Sequence, residues 1–312
     1  MQISNPNSTR EAYGRTYSTL NELYILPVDG TEHKRLDGQH ELIRLRYEGL
    51  YPRVDDVRRV LAPRPGYTPK VLDIGTGSGI WAVEMAHEFP HAQVLGIDIV
   101  QPKPSMLPPS NCEFKLHDAN RGFDELAMSF DLVNIRCAHH GVTSQTDLMS
   151  FIAKILCPGG LFLSLEGGPN VFDEVTGLIT AEQEAEPGFS WTAKLLSTFV
   201  QLCVRRNPSW AEVPDMSTWL KKMDCWEEAG GGRVRFPIGP WERDEREKGV
   251  GKMMQDGTIE WINLAVRPTV ESGGYPSEIV DTWIKNAFKE IEEQHWHFYF
   301  EWPCAWAIKK RV

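Results

Sequence analysis

Short apolar runs and amphipathic stretches take turns through the middle third of the chain. "KVLDIG", "AQVLGIDI", "CEFKLHDA", "FDLVNIRCA" and "LFLSLEGG" are short, apolar and bounded by turn formers, the pattern of buried strands. Between them, "IWAVEMAHEF" places Trp81, Ala82, Met85, Ala86 and Phe89 on one helical face. "QTDLMSFIAKIL" has the same period and stops at Pro158-Gly159-Gly160, whereas "PKPSMLPP" is too rich in proline for a long helix. Strand and helix in alternation predict an α/β fold, a doubly wound and mostly parallel sheet.

The flanks read differently. Residues 1 to 20 are polar and aperiodic, a flexible arm or a lid. "TEHKRLDGQHELIRLRYEGLYP" carries Leu36, Ile43, Tyr47 and Leu50 at roughly helical spacing, with Gly38 inside it, and "APRPGYTP" (62–69) is a linker. Past residue 170, "SWTAKLLSTFVQLCVRR" and "STWLKKMDCWEEAGGG" predict helices, the second stopped by its glycines. "RVRFPIGP" reads as a strand; "TIEWINLAVRPTVES" and "PSEIVDTWIKNAFKEIEEQ" read as helices. "HFYFEWPCAWAIKK" is strand material whose Pro303 predicts an edge or a break. The pattern divides into an N-terminal arm and helical lid (1–62), a core (63–170), a helical cap (171–230) and a C-terminal completion of the fold (231–312).

Charge narrows the partners. With 33 basic and 43 acidic side chains the net charge is -10, so a nucleic acid is a poor partner. The six cysteines are scattered, with no C-x-x-C and no zinc spacing, so no metal is expected and the chain reads as reduced. The N-terminus lacks a hydrophobic signal core, and no apolar run approaches the roughly 20 residues that cross a bilayer. The expectation is a soluble protein of the cytosol or nucleus, not attached to a membrane.

The candidate chemistry begins at "VLDIGTGSGIW", Val71 to Trp81. Its glycines, Gly75, Gly77 and Gly79, do not fit G-x-G-x-x-G, because Ile80 stands where the last glycine belongs. They do not fit a P-loop either. Asp73 precedes the loop, where an anion repels pyrophosphate and suits an ammonium group. Asp98 ends the second strand and can accept from a ribose diol. Asp118, at the tip of the third, can accept from an adenine amino group, and the Ala119 amide can donate to a ring nitrogen. A lone glycine loop is also a tight strand–helix turn, and a lone aspartate also a cap. Together, the loop and three strand-tip carboxylates sketch an adenosine that carries an amino acid and no phosphate. That is S-adenosylmethionine, leaving as S-adenosylhomocysteine.

At these residues the chain resembles the class I S-adenosylmethionine-dependent methyltransferases. Within them it is similar to the fungal group related to regulators of secondary metabolism, through "NELYILPVDGTEHKRLDGQHELIRL", "VLDIGTGSGIWAVEMAHEFPHAQVLGIDI", "FDLVNIR", "LCPGGLFLSLE" and "FPIGPW". The resemblance implies a Rossmann-like, seven-stranded sheet with an N-terminal lid and a helical cap. It also implies methyl transfer to a small molecule in fungal natural-product metabolism, or a partnered nuclear regulator of the same fold. It places Asp73, Gly75, Thr76, Gly77 and Gly79 around the methionine moiety, Asp98 and Ile99 at the ribose, Asp118 and Ala119 at the adenine, and Arg136 near the transferred methyl. One departure stands out: after the fourth strand the chain reads "IRCAHHG" where relatives often read "IRD" and apolar residues.

Methyl transfer needs an in-line nucleophile and exclusion of water; a hydroxyl nucleophile also benefits from a base titrating near neutrality, and a carboxylate nucleophile needs none. His139, with His140 as alternative, lies past the fourth strand at the carboxyl edge of the sheet, where ligands bind in such folds. The other reading is a pair of loop histidines. Glu166, at the end of the fifth strand, is a third catalytic candidate or a turn residue. His40 and Cys137 are candidates for the substrate, and Tyr17 for closing over the cofactor's amino-acid end. Trp191, Trp210, Trp219, Trp226 and Trp241 crowd the cap; most are expected to pack helices, with one or two, Trp191 among them, lining an apolar pocket.

Overall fold

The computed structural model describes residues 9–311 apart from 13, 22, 124–128 and 181–185. Strands β1 (Thr9–Ala12) and β2 (Arg15–Ser18) form an antiparallel hairpin, so part of the polar arm is ordered strand. Helix α1 (Gly30–Tyr47) starts at Asp29, whose carboxylate accepts from the Thr31 and Glu32 amides. The same carboxylate takes two hydrogen bonds from Arg15, at 2.5 and 2.8 Å, so one side chain caps the helix and ties the hairpin to it. Helix α2 (Val54–Val60) precedes the proline-rich linker.

Five apolar runs become parallel strands in the order β5-β4-β3-β6-β7: β3 (Lys70–Ile74), β4 (Gln93–Asp98), β5 (Cys112–Leu116), β6 (Phe130–Arg136) and β7 (Leu156–Leu165). Six of the seven β6 residues are buried, as expected of a strand covered on both faces. Helix α3 (Ile80–Glu88) packs Trp81, Ala82, Val83 and Met85 into one core with Leu61, Val71 and Leu132. Helix α4 (Gln145–Ile155) packs on a second core with Phe162 and Val133.

Beyond β7 come two short strands, β8 (Val171–Asp173) and β9 (Gly177–Leu178), then α5 (Trp191–Arg206), α6 (Met216–Lys222) and β10 (Trp226–Pro237). Helix α7 (Glu245–Trp261) runs through a π turn, Ile262–Val266, into α8 (Arg267–Ser272). Helix α9 (Ser277–Glu293) and strand β11 (Phe298–Lys309) complete the chain. β11 lies antiparallel between β10 on one edge and β7 with β8 on the other. This gives the seven expected strands, to which β8 and β9 add a short extension. A third core joins α1, α5, α7 and α9 to β10 and β11 through Leu42, Phe199, Val250, Ile284 and Phe236.

Two local expectations change. "WEEAGGG" is not a helix end but the first half of β10. A Cβ on Gly230 would stand 2.7 Å from the Trp306 ring of β11, so glycine there seats a neighbouring indole. Pro303 does not mark an edge. Its carbonyl accepts from the Glu166 amide at 3.0 Å, so its nitrogen faces the same side, where β11 changes partner from β7 to β8 and no ladder donor is needed.

Candidate functional site

The carboxyl ends of β3, β4 and β6 converge with the turn after β5 around two small cavities of about 50 and 90 Å³. The first is bounded by Asp73, Gly75, Thr76, Gly77, His40 and Arg136. The second is bounded by Gly75, Ile97, Asp98, Ile99, Asp118 and Ala119. Asp73 is buried and accepts from Asn134 Nδ2 and Thr76 Oγ1, both at 2.7 Å. Burial raises its pKa above the usual carboxylate value, against the opposing pull of Arg136. Asp98 accepts from the Gly77 amide at 2.8 Å and the Val100 amide at 3.2 Å, and burial pushes it up to about 6. Asp118 uses Oδ1 for both contacts to Asn120, which leaves Oδ2 for a ligand. Gly75 has φ 66°, and a Cβ there would stand 2.4 Å from that of Ala138, too close to be accommodated, so the main chain itself forms the wall.

These residues fit an amino-acid-bearing nucleoside. Arg136 bounds both small cavities, and its Nε and Nη1 are buried with no partner among the described residues, while Nη2 meets His40 Nδ1 at 3.2 Å. An orphaned guanidinium edge beside a buried carboxylate provides for both ends of an amino acid. Gly79 and Tyr17 line none of the three cavities. Gly79, at φ 91°, is the N-cap of α3. Tyr17 sits in the hairpin, bridged to Pro27, with Arg10 over its ring.

A third cavity, of about 400 Å³, opens between the sheet edge and the cap. All three cavities share Leu36 of α1 and Cys137, the residue that follows β6. Cys137 adopts φ 52°, left-handed for a non-glycine residue, and Gln39 Nε2 donates to its sulfur at 3.1 Å. Burial raises its thiol pKa far above the ordinary value, so it is no nucleophile. Glu166 also lines this cavity. The His139 and Gly167 amides donate to its two oxygens at 2.8 and 2.9 Å, yet burial pushes its pKa up to about 7.

The two histidines part company. His139 is fully buried and lines no cavity; its Nδ1 meets Gln145 Oε1 at 2.8 Å and its Nε2 meets Ser164 Oγ at 2.9 Å. With both ring nitrogens engaged, it holds the turn after β6 and is not placed to meet a ligand. His140 does line the large cavity, its ring 4.9 Å from Tyr24 and 6.4 Å from Trp210. Its Nε2 is buried with no partner among the described residues, and burial lowers its pKa to about 4, so the ring is neutral near pH 7.

His40 bounds the small cavity beside Arg136, not the large one, and Trp191 packs on Phe189 away from all three. Of the cap tryptophans named from sequence, Trp210 alone lines the large cavity, joined by Trp261 and Trp302. Those two, with Tyr24, Arg35 and Gln39, escaped the sequence reading, although "RLDGQH" pointed to the helix that carries Gln39. Ligand atoms of His40, Glu41 and Glu84 lie within 4.8 Å of one another. Arg44 pairs with both carboxylates at 3.3 Å, so the group is an ion-pair network. No described helix is long and apolar enough to cross a membrane.

Comparison with known proteins agrees with this architecture. Residues 46–232 match a family model described as "Methyltransferase domain". A "Secondary metabolism regulator laeA" from Coprinopsis cinerea is 25% identical over 97% of this chain and 74% of its own length. A "Methyltransferase pytC" from Aspergillus terreus is 27% identical over 80% of this chain and 72% of its own. Among solved structures, phosphoethanolamine N-methyltransferase 2 of Haemonchus contortus, determined with phosphomonomethylethanolamine and S-adenosylhomocysteine, is 15% identical with a TM-score of 0.46; the alignment covers 95% of this chain and 62% of that one.

Proposed function

The chain belongs to the methyltransferase-domain family, and from that premise we propose that it methylates a small molecule, at oxygen, in fungal natural-product metabolism, with S-adenosylmethionine as donor. One observation carries the reading: two small cavities, edged by Asp73, Asp98, Asp118 and Arg136, and one large, mostly apolar cavity share Leu36 and Cys137 in their walls. When bound, the cofactor supplies an electrophilic methyl and a neutral thioether leaving group, so the protein need provide no acid. Asp73 and Arg136 hold the amino-acid end, Asp98 the ribose, and Asp118 with Ala119 the adenine. Gly75 and Gly77 let the main chain close on the ligand. Tyr24, Leu36 and Gln39, from the lid segment, keep water from the junction.

Glu166 is the better base. Its pKa of about 7 suits proton removal from a hydroxyl near neutrality, and it lines the acceptor cavity. His140, depressed to about 4, is a weak base but a good neutral hydrogen-bonding partner. It orients the acceptor through its open Nε2. The test is incubation of purified protein with methyl-labelled S-adenosylmethionine and a fungal metabolite extract. A labelled small molecule, lost in Glu166→Gln with cofactor binding kept, is the expected result. A second reading follows from the laeA relative's name: a cofactor-binding regulator that acts through protein partners. Cofactor binding with no labelled small molecule from any extract supports that reading and removes the first.

A further inference from the structure

The wall of the large cavity restricts its occupant, and the restriction concerns charge. Six aromatic rings, Tyr24, Phe199, Trp210, Trp261, Phe300 and Trp302, contribute to the lining. Among the described lining residues, Arg35 is the one side chain that carries a positive charge, and that charge is already matched. Its Nε and Nη2 donate three hydrogen bonds to the buried Glu32 carboxylate, at 2.6 to 3.1 Å, and Nη1 meets Gln39 Oε1. His140 is neutral near pH 7, since burial lowers its pKa to about 4.

The acids are less matched. Asp256 and Glu260 lie one turn apart on α7, and both line the cavity while remaining exposed. Asp256 shares its charge with Lys252 in a surface i,i+4 pair at 2.5 Å, a contact of small net effect in solvent. No ion pair of Glu260 is found among the described residues. At the inner end, Glu166 is held by two backbone donors and His140 Nε2 has no partner. Glu166 can accept a polar hydrogen, and His140 Nε2 can accept or donate according to its tautomer.

A carboxylate or phosphate on the acceptor would therefore meet electron-rich rings, two rim acids and, among the described lining residues, no unpaired cation. An ammonium group would meet favourable ring faces and a carboxylate. Resting on the methyltransferase reading, we infer that the acceptor is an aromatic amine: a flat apolar body against the rings, a hydroxyl toward Glu166 and His140, and a basic nitrogen at the mouth beside Glu260. In this reading the amine is the anchor, and the hydroxyl beside Glu166 is the methylated group.

Three probes of one shape test this: tyramine, 4-ethylphenol and 3-(4-hydroxyphenyl)propionate. Binding to the full chain, saturated with S-adenosylhomocysteine, is read by calorimetry and tryptophan quenching. Tyramine is expected to bind about tenfold tighter than the propionate, with the neutral phenol between them. In Glu260→Gln the preference for tyramine over 4-ethylphenol is expected to fall to about twofold or less, with 4-ethylphenol unchanged. Equal or tighter binding of the propionate, no measurable tyramine binding, or a preference untouched by Glu260→Gln would each overturn the inference. Its failure is distinct from failure of the methyltransferase reading. Selection by charge is read in binding alone, whereas that reading falls if no extract component accepts the labelled methyl.

Discussion

Replacing Glu166 by glutamine changes one atom and tests the central electrostatic claim without any substrate. The wild-type carboxyl is 4% exposed and titrates at about 7 in the fold against an ordinary 4.5. That gap corresponds to roughly 3 kcal/mol. A carboxyl with a raised pKa contributes its full stability below pH 4.5, where it is protonated in folded and unfolded chains alike. The contribution is lost as pH rises through about 7, where the fold is forced to hold a buried anion. The glutamine variant has no such dependence. Its amide oxygen can satisfy the His139 or the Gly167 amide but not both, and its NH₂ faces the other donor. That mismatch costs about 1–3 kcal/mol at every pH. At pH 5 the variant is thus less stable than wild type, and by pH 8.5 the difference vanishes or reverses. In a chain of this length 1 kcal/mol moves Tm by roughly 2 °C, so circular dichroism melts from pH 5 to 9 suffice. Other titrating groups cancel in the difference between the two proteins. A Tm difference that stays constant across this range would refute the assignment of a neutral-range pKa to Glu166. Once an acceptor is in hand, wild-type kcat/KM is expected to rise with its midpoint near pH 7 and level off above it, and the variant to be pH-independent and about 10²–10⁴ lower.

Gly75→Ala is expected to abolish S-adenosylmethionine binding in calorimetry, because the new Cβ would stand 2.4 Å from that of Ala138, at a φ of 66°. His139→Ala strips the partners of buried Gln145 and Ser164 and is expected to cost about 3–4 kcal/mol in denaturant melts. His140→Ala is expected to stay within about 1 kcal/mol and instead to raise the acceptor KM roughly tenfold; equal destabilisation by the two changes would contradict the division of roles. Asp29→Ala removes a helix cap and the Arg15 pair together and is expected to cost about 1–2 kcal/mol at neutral pH. Arg15 holds the Asp29 carboxyl down at about 2, so this contribution is present above the ordinary 3.8 and is lost as pH falls through about 2. The gap between variant and wild type should close in melts near pH 2.

What could be read in advance follows the range of the interactions involved. Strands β3, β4, β6 and β7 were legible because burial on both faces demands unbroken apolar runs. Asp73, Asp98 and Asp118 were legible because each sits at a fixed place relative to a strand end. The "AGGG" of β10 was misread because glycine normally ends helices, and its purpose there depends on Trp306, some 75 residues later. His139 and His140 were inseparable in sequence. Their opposite surroundings come from the 3₁₀ turn His139–Gly141, where neighbours face different ways, and from Gln145 and Ser164 claiming one ring. Trp261 and Trp302 reach the cavity from α7 and β11, which long-range packing alone brings together. Tyr17 and Trp191, picked for residue type without a positional rule, lie elsewhere.

Tyr24 borders both the large cavity and the small one around Asp98 and Asp118, and Asn21, in the same loop, donates to the Gly141 carbonyl at 2.8 Å. One flap therefore serves as the door to two rooms. If the proposed cofactor enters past Tyr24, a displacement that admits it also uncovers the large cavity, and the two exchanges share one opening.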